Sequence, residues 1–183
     1  MLYTYVGQDP TLYPQRIYGQ TSESAGIDLK ADLDRDDPAT GEPRGIKAFC
    51  DSNLENELEM HDGVLFVPPQ WRVLIPTGLK IGITEGWTAF VFARSGTSLK
   101  NGLVLANSVG VIDSDYAGEV MVAVTNISSC NVGIKHGDRI AQLVVLKNAP
   151  AFFSMVDPKT FEDFHAEKMS TRGEGGFGST GGR

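Results

Sequence analysis

Asp113 lies in the stretch LANSVGVIDSDYAGEV (residues 105–120), where two apolar runs flank Asn107 and Gly110 before the polar IDSDY. A carboxylate in this position can orient a water molecule and take its proton. The backbone between the two runs offers donors and acceptors that can read the edge of a planar base, and Tyr116 can cover a sugar. A hairpin with a polar turn has the same pattern, because Asp and Ser are ordinary turn residues.

A second stretch, ARSGTSLKNG (residues 93–102), places Arg94, Ser95 and Gly96 before one turn of helix. A guanidinium, a hydroxyl and backbone amides at the start of such a turn suit phosphate oxygens. The RSG tripeptide is common and is weak evidence alone. In GDRIAQL (residues 137–143), Arg139 and Gln142 lie on an otherwise apolar strand, so they need partners that are either structural or part of a ligand.

Two further stretches lie near the ends of the chain. In SAGIDL (residues 24–29), Asp28 either stabilises a turn or faces the water shell of a metal ion. The tail TRGEGGFGSTGG (residues 171–182) is half glycine and contains Arg172 and Phe177. Glycine-rich backbone can enclose an anion, and a ring can stack on a base, although such a tail is also typical of a flexible linker.

Short strands must position these side chains. Val120, Val122 and Val124 alternate with other residue types (Glu119, Met121, Ala123 and Thr125), which is the period of a half-buried strand. Similar runs at 71–83, 87–93, 102–106 and 138–146 predict an all-β sandwich, barrel or jelly roll. Helical patterns are weak, at 95–100 and at 159–169. We expect a β core over residues 1–150, then a linker and mobile arm over 151–183.

Residues 32–62 contain ten acidic and three basic side chains and predict an acidic surface insertion in this scaffold. Leu54 and Leu58 have helical spacing, but the segment contains few other apolar residues. A solvated loop is the simpler interpretation, and a docking surface for a protein partner is the alternative.

Composition limits the function. The formal charge of −7 argues against a protein that coats nucleic acid. There is no apolar run long enough for a membrane span and no secretory signal at the start. We therefore expect a cytoplasmic protein, in the host cytoplasm if the source is viral. Cys50 and Cys130 are expected to be buried thiols and not a disulfide.

Taken in chain order, the five stretches resemble the five motifs of the trimeric dUTP diphosphatase (dUTPase) family. The resemblance runs from residue 24 to residue 181 without the insertion, and GVIDSDYAGE and RGEGGFGSTG are its most specific parts. It implies a β jelly roll that assembles as a homotrimer with shared active sites. It also implies that dUTP is hydrolysed to dUMP and pyrophosphate with Mg²⁺ as cofactor.

The resemblance assigns roles residue by residue. Asp113 would activate water for attack on the α-phosphorus, and Asp28 would meet Mg²⁺ through water. Tyr116 would exclude a ribose. The substrate-binding residues would be Arg94, Ser95, Gly96 and Gln142 at the phosphates; Asn107, Gly110, Val111, Ile112 and Met121 around uracil; and Arg172, Phe177 and Gly178 in the closing arm.

Some positions depart from the family pattern. Ala93, Thr97 and Ser98 replace a proline and a Leu-Ala pair around the RSG, and Ala117 replaces a longer polar residue. These changes predict an altered rate and not lost activity. The related dCTP deaminases have a catalytic glutamate where Ala123 stands here, so deamination is disfavoured. A non-enzymatic or dual-function nucleotide-binding protein that acts through the insertion is the remaining alternative.

Overall fold

Antiparallel strands form nearly all of the regular structure that can be described. The computed structural model describes residues 1–9, 11–13, 23–36, 45–50, 55–148 and 153–167. It divides into two compact units, Met1–Ala149 and Pro150–Arg183. Within the described ranges, the first unit contains the strands and one short helix, and the second contains one helix. No helix in these ranges is long and apolar enough to cross a membrane.

The elements follow one another along the chain in this order: β1 (Leu2–Tyr5), β2 (Ile27–Lys30), β3 (Ile46–Phe49), β4 (Glu55–Leu58), β5 (Met60–His61), β6 (Val64–Val67), β7 (Arg72–Pro76), β8 (Leu79–Gly82), β9 (Trp87–Ala93), α1 (Ser95–Asn101), β10 (Leu103–Leu105), β11 (Gly110–Ile112), β12 (Met121–Asn126), β13 (Val132–Lys135), β14 (Arg139–Lys147) and α2 (Pro158–Glu167).

Two larger sheets share the core. One has the order β10-β12-β7-β3-β4 and the other the order β11-β9-β14-β2. Val122 and Val124 of β12 are 1% exposed and join one buried cluster with Val91 of β9 and Leu143 of β14. Alternate side chains of each sheet therefore fill a common interior. The all-β, jelly-roll-like sandwich predicted from the sequence is confirmed.

The apolar run at 71–83 forms two strands and not one. It breaks at Thr77 and Gly78, where Gly78 has a φ of +69°. A Cβ atom added to Gly78 would lie 2.2 Å from the Tyr5 ring and 2.5 Å from Oδ2 of Asp32. Glycine is therefore required here both by the backbone conformation and by the close approach of these side chains.

The acidic insertion is not simply a solvated loop. Its described part contributes β3 and β4 to the five-stranded sheet, and Ala48 of β3 is fully buried. Asp32, at the start of the segment, is also fully buried. Leu58 belongs to strand β4 and not to a helix, whereas Leu54 lies outside the described residues. The expectation failed because the acidic composition concealed an alternation of buried and exposed positions in β3.

The two cysteines are not joined in a disulfide, as expected. Cys50 is half-buried, but Cys130 is exposed, so the prediction of two buried thiols is wrong for Cys130. Residues 95–100 form helix α1 as predicted, and the weak helical pattern at 159–169 corresponds to α2.

Candidate active site

A cavity of about 220 Å³ opens beside strand β11. It brings together one carboxylate, one phenol ring and a short stretch of backbone. Its walls are formed by Val91, Asn107, Gly110, Val111, Ile112, Asp113, Tyr116, Val120 and Met121. The candidate residues of the stretch 105–120 and Met121 thus line one concave surface, together with Val91 and Val120, which were not predicted as site residues.

The backbone of β11 is available to a ligand because β11 is an edge strand. It pairs on one side with β9, with Gly110 opposite Val91 and Ile112 opposite Ala89. In the sheets of the described residues no strand pairs with its other side. Half of its N–H and C=O groups therefore point away from the sheet, next to the cavity.

The connection into β11 is not the two-stranded hairpin that the sequence suggested. β10 pairs with β12 in the five-stranded sheet, whereas β11 pairs with β9 in the other sheet. The intervening turn includes Asn107 and Ser108 and crosses from one sheet to the other. Ser108 has a φ of +64°. The cavity therefore lies at the edge where the two layers meet.

Gly110 is constrained by its neighbours. A Cβ atom at this position would lie 3.0 Å from the Cβ of Val91 and 3.6 Å from Nδ2 of Asn107. A larger residue would push β11 away from β9 and change the depth of the cavity. This close packing explains why the GVID sequence has glycine at position 110.

The loop after β11 presents Asp113 to solvent and turns the chain back toward β12. The Asp113 carbonyl accepts a hydrogen bond from the Tyr116 N–H at 3.2 Å. The Tyr116 hydroxyl donates to the backbone oxygen of Glu119 at 2.9 Å. These contacts make one compact turn in which the carboxylate and the phenol line the same cavity.

A second polar cluster forms where β2, β14 and the end of β9 lie side by side. Asp28 lies opposite Gln142, and Gln142 lies opposite Phe92 of β9. Asp28 accepts a hydrogen bond from Nε of Arg94 at 2.8 Å and another from Nη1 of Arg139 at 3.3 Å. The predicted residues Asp28, Arg94 and Gln142 are therefore brought together, with Arg139 as a member whose partner the sequence did not reveal.

Hydrogen bonds to backbone oxygens stabilise the same cluster. Arg94 Nη1 donates to the Arg139 carbonyl at 3.2 Å, and Gln142 Nε2 donates to the Ala93 carbonyl at 3.1 Å. Ser95 and Gly96 follow at the exposed start of α1, and no atom lies within 4 Å of a Cβ built on Gly96. A cavity of about 250 Å³ adjoins Arg94 and Arg139. The arrangement leaves room for an anionic group beside two guanidinium groups.

The two clusters lie toward opposite ends of β9. Ile112, next to Asp113, pairs with Ala89, whereas Arg94 follows the last residue of the strand. The five residue steps from Ala89 to Arg94 span roughly 17 Å at the usual rise of a strand. The Arg94 side chain is held at Asp28, so Asp113 and Arg94 of one chain line two separate cavities.

The described residues contain no group of three or more His, Cys, Asp or Glu side chains that could hold a metal ion. Asp28 offers a hard oxygen ligand, but two arginines already share its charge. Such a site suits Mg²⁺ that keeps several waters and arrives with a phosphate ligand. Arg172, Phe177 and Gly178 lie outside the described residues.

The sandwich with its base-sized cavity and its arginine cluster defines a protein of the nucleotide-binding class. A family model described as dUTPase matches residues 62–181. The deoxyuridine 5'-triphosphate nucleotidohydrolase of Desulfitobacterium hafniense (strain DSM 10664 / DCB-2) is 42% identical over 164 residues, which are 88% of this chain and 83% of the relative. The chain belongs to the dUTPase family.

Solved dUTPases have the same fold. A mutant of the Staphylococcus bacteriophage 80alpha dUTPase with dUpNHpp matches with a TM-score of 0.65 and 20% identity, over 99% of this chain and 98% of that one. A mutant dUTPase from phage phi11 of S. aureus, which shows the coordination of a structural Mg(II) ion, matches with a TM-score of 0.59 and 18% identity. That match covers 85% of this chain and 95% of the phage chain.

Proposed function

We propose that this chain hydrolyses dUTP to dUMP and pyrophosphate, with Asp113 as the group that activates the attacking water. The observation that carries this proposal is the cavity in which Asp113, Tyr116 and the open edge of β11 meet. A planar base would fit against the exposed strand edge, and the Asp113 carboxylate would then lie where the phosphate chain extends from the cavity. The name of the Desulfitobacterium hafniense relative, deoxyuridine 5'-triphosphate nucleotidohydrolase, supports dUTP as the substrate.

The main chain of β11 would select the base. Uracil presents a C4 carbonyl and an N3–H, whereas cytosine presents an amine and an unprotonated nitrogen. Backbone groups that pair with the first pattern are left unpaired by the second, at about 1–3 kcal/mol for each group. The outward-facing N–H and C=O groups of β11 would provide this pairing, and Asn107 and Met121 would bound the base on either side.

Asp113 would act as a general base. Its carboxylate accepts a proton from water while the water oxygen bonds to the α-phosphorus, and the bond from that phosphorus to the bridging oxygen breaks to release pyrophosphate. General-base assistance contributes about 10²–10⁴-fold. The rest of the acceleration would come from alignment and from neutralisation of the phosphate charge.

The phosphate-binding group would come from another copy of the chain. A triphosphate is only two phosphoanhydride links long, much shorter than the separation of Asp113 and Arg94 along β9. The cavity of one chain would therefore be completed by Arg94, Ser95, Gly96 and Gln142 of a neighbour. A closed trimer places one such junction at each of its three equivalent interfaces.

Magnesium would be held mainly by phosphate oxygens and water, with Asp28 as the protein carboxylate that meets it through water. When bound, the ion neutralises part of the triphosphate charge. Arg94 and Arg139 share the Asp28 carboxylate. The arm would then close over the nucleotide, with Phe177 on uracil, Arg172 on the terminal phosphates and the amide of Gly178 at the anion.

A protein partner at residues 32–62 remains a hypothesis. The described part of this segment is already used inside the chain, since β3 and β4 belong to a sheet and Lys47 pairs with Glu55 at 2.5 Å. The segment therefore has a structural role that does not depend on any partner.

Release of pyrophosphate from dUTP, dCTP, dTTP and UTP, measured in parallel with purified protein and Mg²⁺, tests the proposed function. We expect turnover of dUTP and much slower turnover of the other three nucleotides. Equal rates for dUTP and dCTP would contradict base selection by β11. Release of ammonia from dCTP would instead indicate a deaminase.

A further inference from the structure

Arg35 lies between two carboxylates, next to the loop that contains Asp113 and Tyr116. Its Nη2 atom is 2.7 Å from Oε1 and 2.9 Å from Oε2 of Glu119. Its Nε atom is 3.3 Å from Oδ2 of Asp32, a fully buried side chain. The side chains of Arg35 and Glu119 are only 10% and 15% exposed. Buried ion pairs of this kind contribute little net stability, so their positions call for a further explanation.

Glu119 fixes the exit of the loop that contains Asp113 and Tyr116. Its Oε1 also accepts the Gly78 N–H at 2.6 Å. The next residue, Val120, is bound from both sides: its carbonyl accepts the Thr77 hydroxyl at 2.6 Å, and its N–H donates to the Leu79 carbonyl at 2.7 Å. The backbone at 119 and 120 is thereby attached to the turn between β7 and β8.

The position of Tyr116 depends on this same piece of backbone. Its hydroxyl donates to the Glu119 carbonyl. Its ring lies across Gly118, where an added Cβ would be 2.3 Å from the hydroxyl oxygen. Any shift of residues 118–119 would therefore move the phenol, which forms one wall of the cavity.

We propose that Arg35 and Glu119 are positioning residues that hold Tyr116 against the sugar and so set the discrimination between deoxyribose and ribose. This proposal rests on the proposed function of the cavity. It gives the start of the 32–62 segment a part in the reaction, although Arg35 does not touch the substrate. The predicted signature is lost selectivity with the chemical step largely retained, because Asp113 lies at the other end of the loop.

The test is the ratio of kcat/KM for dUTP to kcat/KM for UTP in Glu119→Gln. The amide oxygen of Gln can still accept the Gly78 N–H, but the charge that holds Arg35 is removed. We expect the ratio to fall about tenfold, at the lower end of what one small group in a pocket contributes, while kcat for dUTP changes less than the ratio. Arg35→Lys, which keeps the charge, should restore selectivity partly relative to Arg35→Gln.

Glu55→Gln is the matched control, since it removes an exposed ion pair with Lys47 in the same segment and should leave the ratio unchanged. Unchanged selectivity in Glu119→Gln with a lowered Tm would show a merely structural pair and overturn the proposal. Failure of both Glu119→Gln and Arg35→Lys to fold would overturn it equally. Tyr116→Ala tests the role of Tyr116 separately from the positioning role of Arg35 and Glu119. If this variant leaves the ratio unchanged, Tyr116 does not discriminate between deoxyribose and ribose.

Discussion

The Nε atom of Arg94 lies 2.8 Å from Oδ1 of Asp28, and this hydrogen bond joins the end of one strand to another strand two positions away in the sheet. Arg139 binds the second oxygen of the same carboxylate. A guanidinium held in this way does not have to be ordered when a phosphate arrives, so less conformational entropy is lost on binding. Asp28 therefore has a role in orienting Arg94 besides any contact with magnesium.

Asp28→Asn should weaken the binding of dUTP. The neutral amide keeps one acceptor but loses the charge-assisted bonds to both arginines, which are worth about 1.5–3 kcal/mol each. We expect kcat/KM to fall at least about tenfold and the magnesium concentration at half-maximal rate to rise. Asp62→Asn, at an exposed turn with a φ of 52° that Asn tolerates, is the control. An unchanged magnesium profile would contradict the role of Asp28 toward the ion.

Asp113→Asn should keep the fold and the affinity for nucleotide but lower kcat by at least about 10²-fold, the scale of a lost general base. The side chain is exposed, so the substitution disturbs no core packing. Single-turnover rates together with the Kd of a non-hydrolysable dUTP analogue separate chemistry from binding. Near-normal turnover by this variant would show that another group activates the water.

Mixed assemblies test whether the active site is shared. Asp113→Asn and Arg94→Ala should each be nearly inactive as homo-oligomers. Refolded together, they should recover activity, because some interfaces then combine an intact Asp113 from one chain with an intact Arg94 from another. Light scattering should give a trimer mass for the active species. No recovery in a confirmed mixed trimer would mean that each chain completes its own site.

Most residues around the cavity were named by the family resemblance, and they lie close together in the chain. Asp113 and Tyr116 belong to the stretch 105–120, Met121 follows it directly, and local turns bring the three residues together. The partners of Asp28 could not be assigned in this way. Its contacts depend on the register that places Asp28 opposite Gln142 and Lys30 opposite Arg139, and register is fixed by long-range packing that no local pattern specifies.

The burial of Asp32 in the acidic insertion could not be predicted from the sequence either. Acidic residues are rarely buried without a partner, so composition favoured a solvated loop around Asp32. Its burial becomes intelligible only with Arg35 and Glu119 in place, and Glu119 is 84 residues from Arg35 in the chain. The motif GVIDSDYAGE contained Glu119, but nothing in the sequence indicated its partner.

Acid should weaken the attachment of the 32–62 segment through Asp9, because Asp9 lies 3.1 Å from the His136 ring that accepts the N–H groups of Leu33 and Asp34. The Thr11 hydroxyl bonds its carboxylate at 2.7 Å and, with the Thr11 N–H and His136, lowers the pKa of Asp9 from 3.8 to about 2. A lowered pKa means that Asp9 stabilises the fold above pH 4 and loses this contribution as the pH falls toward 2. The Tm difference between wild type and Asp9→Asn should therefore be larger at pH 5 than at pH 2. A difference independent of pH would contradict this assignment.

The C-terminal arm provides the last prediction. Ending the chain at Ser170 should leave the β core folded, since residues 171–183 contain only one large apolar side chain, Phe177. The truncation should nevertheless reduce kcat/KM for dUTP strongly, because it removes the Arg172 charge, the stacking ring and the glycine amides together.

Point variants separate these contributions. Phe177→Ala should lose about 1–3 kcal/mol, the usual scale of base–aromatic stacking. Arg172→Ala should lose more, because a charge-assisted contact to the triphosphate disappears from a closed site with little water. Ser179→Ala is the control, because it changes the same glycine-rich tail but removes neither the charge nor the ring. If the truncated protein melts normally and still hydrolyses dUTP at the full-length rate, the arm is only a linker.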